Sequence, residues 1–299
     1  MNRIKGLFTA LTAAFAGMAL AGAALPGVAM AAAKPLPEAM PGGHNWNATV
    51  AKTDHDSYVL GNPEAPIKLV EFISYTCPHC AHFEEQSDAP LRIGMIAKGT
   101  GSIEVRSFLR NPIDLTVTML AHCGKPSQFF MNHEMFLRRQ QSWIQPMIGS
   151  SPSQQKRWTN PDLVTRNRYI ATDFGLYEMM SERGYNRVEI DRCLADSALA
   201  KRLQTETLVY EVDPTCYDQA DPEACISDRV KKLKEFQAAV KAGTADPKDN
   251  PVAGQGVQGT PSFILGGVLL AGTYDWDTLR PQVEARLDQL NTGSPSGDD

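Results

Sequence analysis

The chain has 299 residues, 42% hydrophobic and 21% charged, with 23 Gly and 20 Pro, a usage that excludes a collagen-like, wholly disordered or multi-spanning membrane protein. Lys and Arg total 29 against 34 Asp and Glu, a net charge of -5; this provides no basic surface for a phosphate backbone, and no nucleic acid partner is expected. The six cysteines take their meaning from the compartment, because thiols stay reduced in a cytosol and pair outside it.

The first segment addresses the compartment. Arg3 and Lys5 precede 28 uncharged residues from Gly6 to Ala33, ending in small-residue sites such as Ala29-Met30-Ala31. This predicts a secretory signal peptide over 1–33, with an uncleaved membrane anchor as the alternative. No cysteine lies in or just after the run to carry a lipid, which excludes a lipoprotein. Cleavage would leave 27 Lys and Arg against 34 Asp and Glu, an acidic exported protein of net charge -7. Residues 34–56 read as a Pro/Gly-rich tether, Lys34 to His44, followed by an entry segment.

Ile67 to Ile73 is a short apolar run of the kind that forms a buried central strand. It leads into Cys77-Pro78-His79-Cys80 and a helical stretch, kinked or interrupted at Pro90 and closed by Gly99-Thr100-Gly101. Ser102 to Leu109 then predicts a second strand. Asp114 to about Gly243 is helical in pattern: Phe129, Phe130, His133, Phe136 and Leu137 form one stripe, and Val230, Leu233, Phe236 and Val240 another. Asn186 with Glu189 is a capping box. Ser262 to Leu265 and Val268 to Leu270 flank Gly266-Gly267 and predict a hairpin. A last helix carries Trp276, Leu279, Val283, Leu287 and Leu290 on one face, with Thr273 or Asp275 as its N-cap. The reading is an α/β domain over 57–113 and 244–290, interrupted by a helical subdomain over 114–243 and ended by a polar tail over 291–299.

A C-x-x-C at a strand-to-helix junction places both thiols in the first helical turn, where unpaired N–H groups and the helix dipole stabilise a thiolate. Cys77 is then an exposed nucleophile and Cys80 the shielded partner of a reversible disulfide. Pro78 removes an N–H that had no helical partner. His79 supplies positive charge or a donor near the Cys77 sulfur. A c-type haem site would need His directly after Cys80, but residue 81 is Ala. Cys77, His79, Cys80 and His82 could form a metal knuckle, but structural zinc normally requires a second pair of similar spacing, and Cys216 and Cys225 are nine apart in a different region. No cofactor and no metal are expected.

With these residues the chain resembles the DsbA-like oxidoreductases of the bacterial periplasm, which carry a thioredoxin fold with an inserted helical subdomain. The resemblance rests on Val70-Glu71-Phe72 leading to Cys77-Pro78-His79-Cys80, and on Gly256-Val257-Gln258-Gly259-Thr260-Pro261-Ser262-Phe263 before the last hairpin. It implies that Pro261 is cis and lies against the active-site cysteines. Thr260 would offer backbone groups to a bound peptide, and Glu71 would be a buried acid that moves protons as Cys80 titrates. It further implies donation of a disulfide to reduced or unfolded exported proteins through a mixed disulfide, reoxidation by a DsbB-type quinone-linked membrane enzyme, and a monomer. A reductase or isomerase on the same fold, or a metal-binding adaptor, remain alternatives. Of the three ways to pair the remaining cysteines, Cys123 with Cys193 and Cys216 with Cys225 is expected, the former as a staple of the subdomain seen in some relatives. Tyr217 to Ala224 reads as an insertion.

Overall fold

The computed structural model describes residues 43–249 and 256–292, all within one structural unit. The predicted signal segment, most of the tether and the end of the tail lie outside the described residues. The central strand forms where the apolar run predicts it, at Ile67–Ile73, with every residue except Lys68 buried. Such a run has no solvated face and must be covered on both sides. It is the third strand of a six-stranded sheet: β1 (Val50–Lys52), β2 (Tyr58–Gly61), β3 (Ile67–Ile73), β4 (Gly101–Ser107), β5 (Ser262–Leu265) and β6 (Val268–Leu269), in the order β1-β2-β4-β3-β5-β6. β3 pairs in parallel with β4 and antiparallel with β5, so that Glu71 lies between Val105 and Phe263. The hairpin turn at Gly266-Gly267 has positive φ at both residues. β1 and β2 were not legible: β1 is a half-exposed three-residue strand, too short to show alternation.

Helix α1 (Pro78–Leu91) follows β3. Pro90 does not interrupt it; the helix runs past the proline and loosens afterwards into a π-helical turn, Arg92–Ile96, before Gly99 ends it with positive φ. Between β4 and β5 stand α2 (Pro112–Ala121), α3 (Phe129–Arg138), α4 (Gln140–Trp143), α5 (Gln145–Gly149), α6 (Pro152–Trp158), α7 (Leu163–Asp173), α8 (Leu176–Glu182), α9 (Arg187–Leu194), α10 (Ser197–Val212) and α11 (Pro222–Lys241). The final helix α12 (Trp276–Thr292) is capped by Asp275, whose carboxylate accepts from the Thr278 N–H at 2.9 Å. Leu279 and Val283 are buried, but Leu290 is exposed.

This is the expected thioredoxin-fold α/β sheet carrying an inserted set of helices. Sheet and helices share one core: Leu69, Phe83 and Phe263 pack in the same cluster as Phe129, Phe136 and Met180. The α3 stripe is fully buried, whereas the four apolar residues of α11 are only half-buried at the periphery.

Candidate active site

The end of β3 delivers Ser74 to Thr76 to the mouth of the sheet, and Cys77 caps α1 with Pro78 in its first turn. The Thr260–Pro261 peptide is cis, directly before β5. Because β5 lies beside β3, this peptide meets the first cysteine, and the Cys77 Sγ–H donates to the Thr260 carbonyl at 3.1 Å. Cys77 and Cys80 are both present as thiols. The expectation of an exposed Cys77 is corrected: it retains 2% of its surface, and Cys80 none. The covering group is the Thr260–Pro261 loop, which arrives from 183 residues away in sequence.

The two thiols are driven in opposite directions. Cys77 is lowered to about 5, first by the Cys80 thiol as donor, then by Thr260 and the backbone N–H groups of Cys80 and His79, against the opposing effect of burial. Cys80 is pushed well above the ordinary thiol range by burial, by the charge on Cys77 and by that on Glu71. His79 thus reaches the sulfur with its backbone N–H, while its side chain, like Pro78, is exposed. His82 is exposed as well, and His79 and His82 do not gather with the two sulfurs at metal-ligand spacing among the described residues.

Glu71 is buried in the middle of the sheet, not on an edge strand. Burial raises its carboxyl well above the usual range, and the neighbouring Glu84 raises it further. Two residues not singled out from the sequence hold the loop before Cys77. Asp114, in the first turn of α2, accepts from the Ser74 hydroxyl at 2.5 Å and from the Thr76 N–H at 3.1 Å. Its carboxyl is pushed up to about 6 by burial, which outweighs those bonds. Gln140 at the start of α4 donates to the carbonyls of Tyr75 at 2.7 Å and Cys77 at 2.8 Å. Asn111-Pro112 with Asp114 two residues on is a helix-start signature that could have flagged the first; nothing local flags the second.

The remaining four cysteines form the disulfides Cys123–Cys193, with Cα atoms 5.6 Å apart, and Cys216–Cys225, at 5.5 Å. The first joins the end of α2 to α9, and the second closes the turn between α10 and α11.

A sheet with a redox-ready cysteine pair at the start of a helix, facing a cis-proline, defines a thioredoxin-superfamily thiol–disulfide protein. Residues 53–167 match the family model described as Thioredoxin. The crystal structure of a protein-disulfide isomerase from Novosphingobium aromaticivorans is 43% identical, covering 78% of this chain and 97% of its own, with a TM-score of 0.61. A Rickettsia typhi protein, provisionally named a protein-disulfide oxidoreductase, is 31% identical over 135 residues, 41% of this chain and 50% of its own. A namesake in Rickettsia bellii is 29% identical over 136 residues, 41% and 52% of the respective chains. The chain spans about half the length of these curated relatives. It belongs to the thioredoxin-like protein-disulfide oxidoreductases.

Proposed function

We propose that this protein is an exported thiol oxidant that passes a Cys77–Cys80 disulfide to reduced proteins. A substrate thiolate attacks Cys77, forming a mixed disulfide and releasing Cys80 as a thiolate, which takes a proton from Glu71. The substrate's second thiolate then attacks its own sulfur in the mixed disulfide, leaving with a new disulfide and freeing Cys77 as a thiolate. Thr260 and Pro261 hold the incoming chain against Cys77, and Pro78 and His79 shape the thiolate's donor set. The domain is completed by 57–113 and 244–290, with 114–243 as the inserted helical part. Reduced or unfolded exported proteins are the substrates, a DsbB-type membrane enzyme restores the disulfide, and the protein works in the periplasm as a monomer. No helix among the described residues is long and apolar enough to cross a membrane.

The observation that carries this reading is the opposition between the two thiols. A nucleophile held ionised at neutral pH stabilises the reduced form, and a couple whose reduced form is stabilised gives its disulfide away. The test is the equilibrium reduction potential of Cys77–Cys80 against glutathione, with the other disulfides intact. Couples of this superfamily run from roughly -270 mV for a reductant to about -120 mV for an oxidant. A value in the upper half supports the reading, and a thioredoxin-like value reverses the direction of electron flow. An isomerase is the second reading, favoured by the 43% identical Novosphingobium protein, which is named a protein-disulfide isomerase, and by Thr260 before the cis-proline. Recovery of activity from a scrambled multi-disulfide substrate, without added oxidant, would select it.

A further inference from the structure

After β4 the chain runs through Leu109, Arg110 and Asn111 into α2, and this stretch forms one wall of an open groove of about 330 Å³. Arg166 of α7 and the last turns of α10, from Gln204 to Glu211, form the others. The Leu109 N–H donates to the Thr207 hydroxyl at 3.1 Å, which fixes the first wall against α10. Leu115 is the buried apolar base of the groove, while Leu208 stands 61% exposed. The volume lies at the lower end of the roughly 300–1,000 Å³ of ligand sites, enough for side chains of an extended segment.

Two guanidinium groups line this groove. Arg110 is exposed and Arg166 half-buried, and among the described residues neither is in an ion pair, although Arg168, one position removed along α7, pairs with Asp191. The Arg166 side chain donates to the Asn160 carbonyl at 3.5 Å, and its Nε is buried without an acceptor. Burial opposes its charge, and Asp162 supports it only at longer range, since that carboxylate caps α7 by accepting from the Thr165 N–H at 2.8 Å. Among the described residues Glu211 is the acid that lines the groove. Two positive charges thus stand against one negative, on a chain whose net charge is -5. A planar guanidinium without a carboxylate is suited to take one from a partner, and does so with two parallel bonds.

The groove adjoins both segments that flank the Cys77 sulfur. Asn111 in its wall donates from Nδ2 to the Thr76 hydroxyl at 2.9 Å, and Thr76 directly precedes Cys77. Glu211 meets the other segment, since its backbone carbonyl is what Gly256 closes on ahead of Pro261. We propose that Arg110 and Arg166 dock an Asp or Glu side chain of the substrate, carried in the extended segment beside its reactive cysteine, so that the protein prefers reduced proteins with an acidic residue there. The proposal rests on the reading of Cys77 as the acceptor of substrate thiolates, and names a substrate class within it. Leu109 and Leu208 contact the aliphatic parts of the same segment. Both arginines act on docking and leave the exchange at sulfur to Cys77 and Cys80. The net negative charge of the chain by itself slows the approach of an acidic peptide, so a preference for one requires a local site of this kind.

The test is the rate at which the oxidised full protein is reduced by short dithiol peptides, identical except for one Asp, Asn or Lys set at successive positions on either side of the first cysteine. At the best position the Asp peptide is expected to react roughly fivefold faster than its Asn counterpart, as one partly exposed ion pair allows, with the Lys peptide slowest. Arg110→Gln combined with Arg166→Gln should bring the Asp-to-Asn ratio to one, and Arg110→Glu, at an exposed position, should turn the order toward Lys if the Arg166 variant does not fold. Comparing ratios between protein and variants cancels the effect of the peptide's charge on its own thiol. In the unmodified protein the ratio should also fall toward one as salt is raised. A ratio unchanged in the arginine variants, or an Asp peptide slowest at every position, overturns the proposal alone. Failure to oxidise any of the peptides overturns the reading of Cys77 and the proposal with it.

Discussion

The Cys80 thiol is the first donor holding Cys77 ionised, ahead of any contribution from the His79 side chain. Replacing Cys80 with Ala should therefore raise the Cys77 titration from about 5 toward the ordinary thiol range, read as thiolate absorbance against pH. An unchanged midpoint would mean that backbone donors suffice. Glu71 yields a stability prediction of definite sign. Its folded-state carboxyl binds its proton more tightly than the unfolded one, so its contribution is complete at acid pH and is lost as pH rises above the unfolded value of about 4.3 toward the raised folded one. Glu71→Gln should accordingly stabilise the protein at pH 8 relative to pH 4 in parallel urea melts. At this scale the position of Cys77 and Cys80 at a strand-to-helix junction was legible, because the apolar run and the C-x-x-C are adjacent in sequence, whereas the burial of Glu71 was expected only from the family resemblance. The exposure of Cys77 was misjudged, since the group that covers a sulfur is set by chain pairing rather than by its neighbours in sequence.

Among the elements, the active-site loop is held from outside itself. Gln140 closes two buried carbonyls at once, and Gln140→Ala should destabilise the protein by about 1–3 kcal/mol, since a buried acceptor left without its donor bears its full desolvation cost. Denaturant melts check this. The cis-proline loop is held by Gly256, where a Cβ would sit 1.9 Å from the Glu211 carbonyl oxygen at the end of α10. The next residue donates from the Val257 N–H to Tyr210 O at 2.8 Å, so the approach is backbone to backbone. Gly256→Ala should cost about 1–3 kcal/mol and loosen the Thr260 contact, seen as a raised Cys77 midpoint. β3, α1, the capping box at Asn186 and the Gly266-Gly267 hairpin were legible because each is written in a run of adjacent residues. Gln140 and the Gly256 contact were not, because each depends on a partner dozens of residues away.

At the scale of the whole molecule, the two structural disulfides restrict very different lengths of chain. Cys123–Cys193 spans 70 residues and Cys216–Cys225 spans 9. Loop entropy alone makes the first worth about 4 kcal/mol and the second about 2.5 kcal/mol. Urea melts of the two double Cys→Ala variants should rank them in that order, and a reversed ranking would show that the short bridge acts by holding native packing around Tyr217. The layout of a cysteine-bearing half and a proline-bearing half, joined through helices, was readable because both halves carry dense local motifs. The shared core was not, since nothing in the helical pattern says that α3 packs beneath Cys80's helix.

The long-range bridge has a consequence for biogenesis. On the proposed function, a protein that delivers disulfides must itself acquire two, and the Cys123–Cys193 pairing is held only where α2 and α9 pack together. A newly made copy is thus a client before it is a donor, and its first customer service comes from older copies already oxidised. Maturation of a fresh pool should then accelerate as finished molecules accumulate, a positive feedback inscribed in two cysteines that take no part in the chemistry of the active pair.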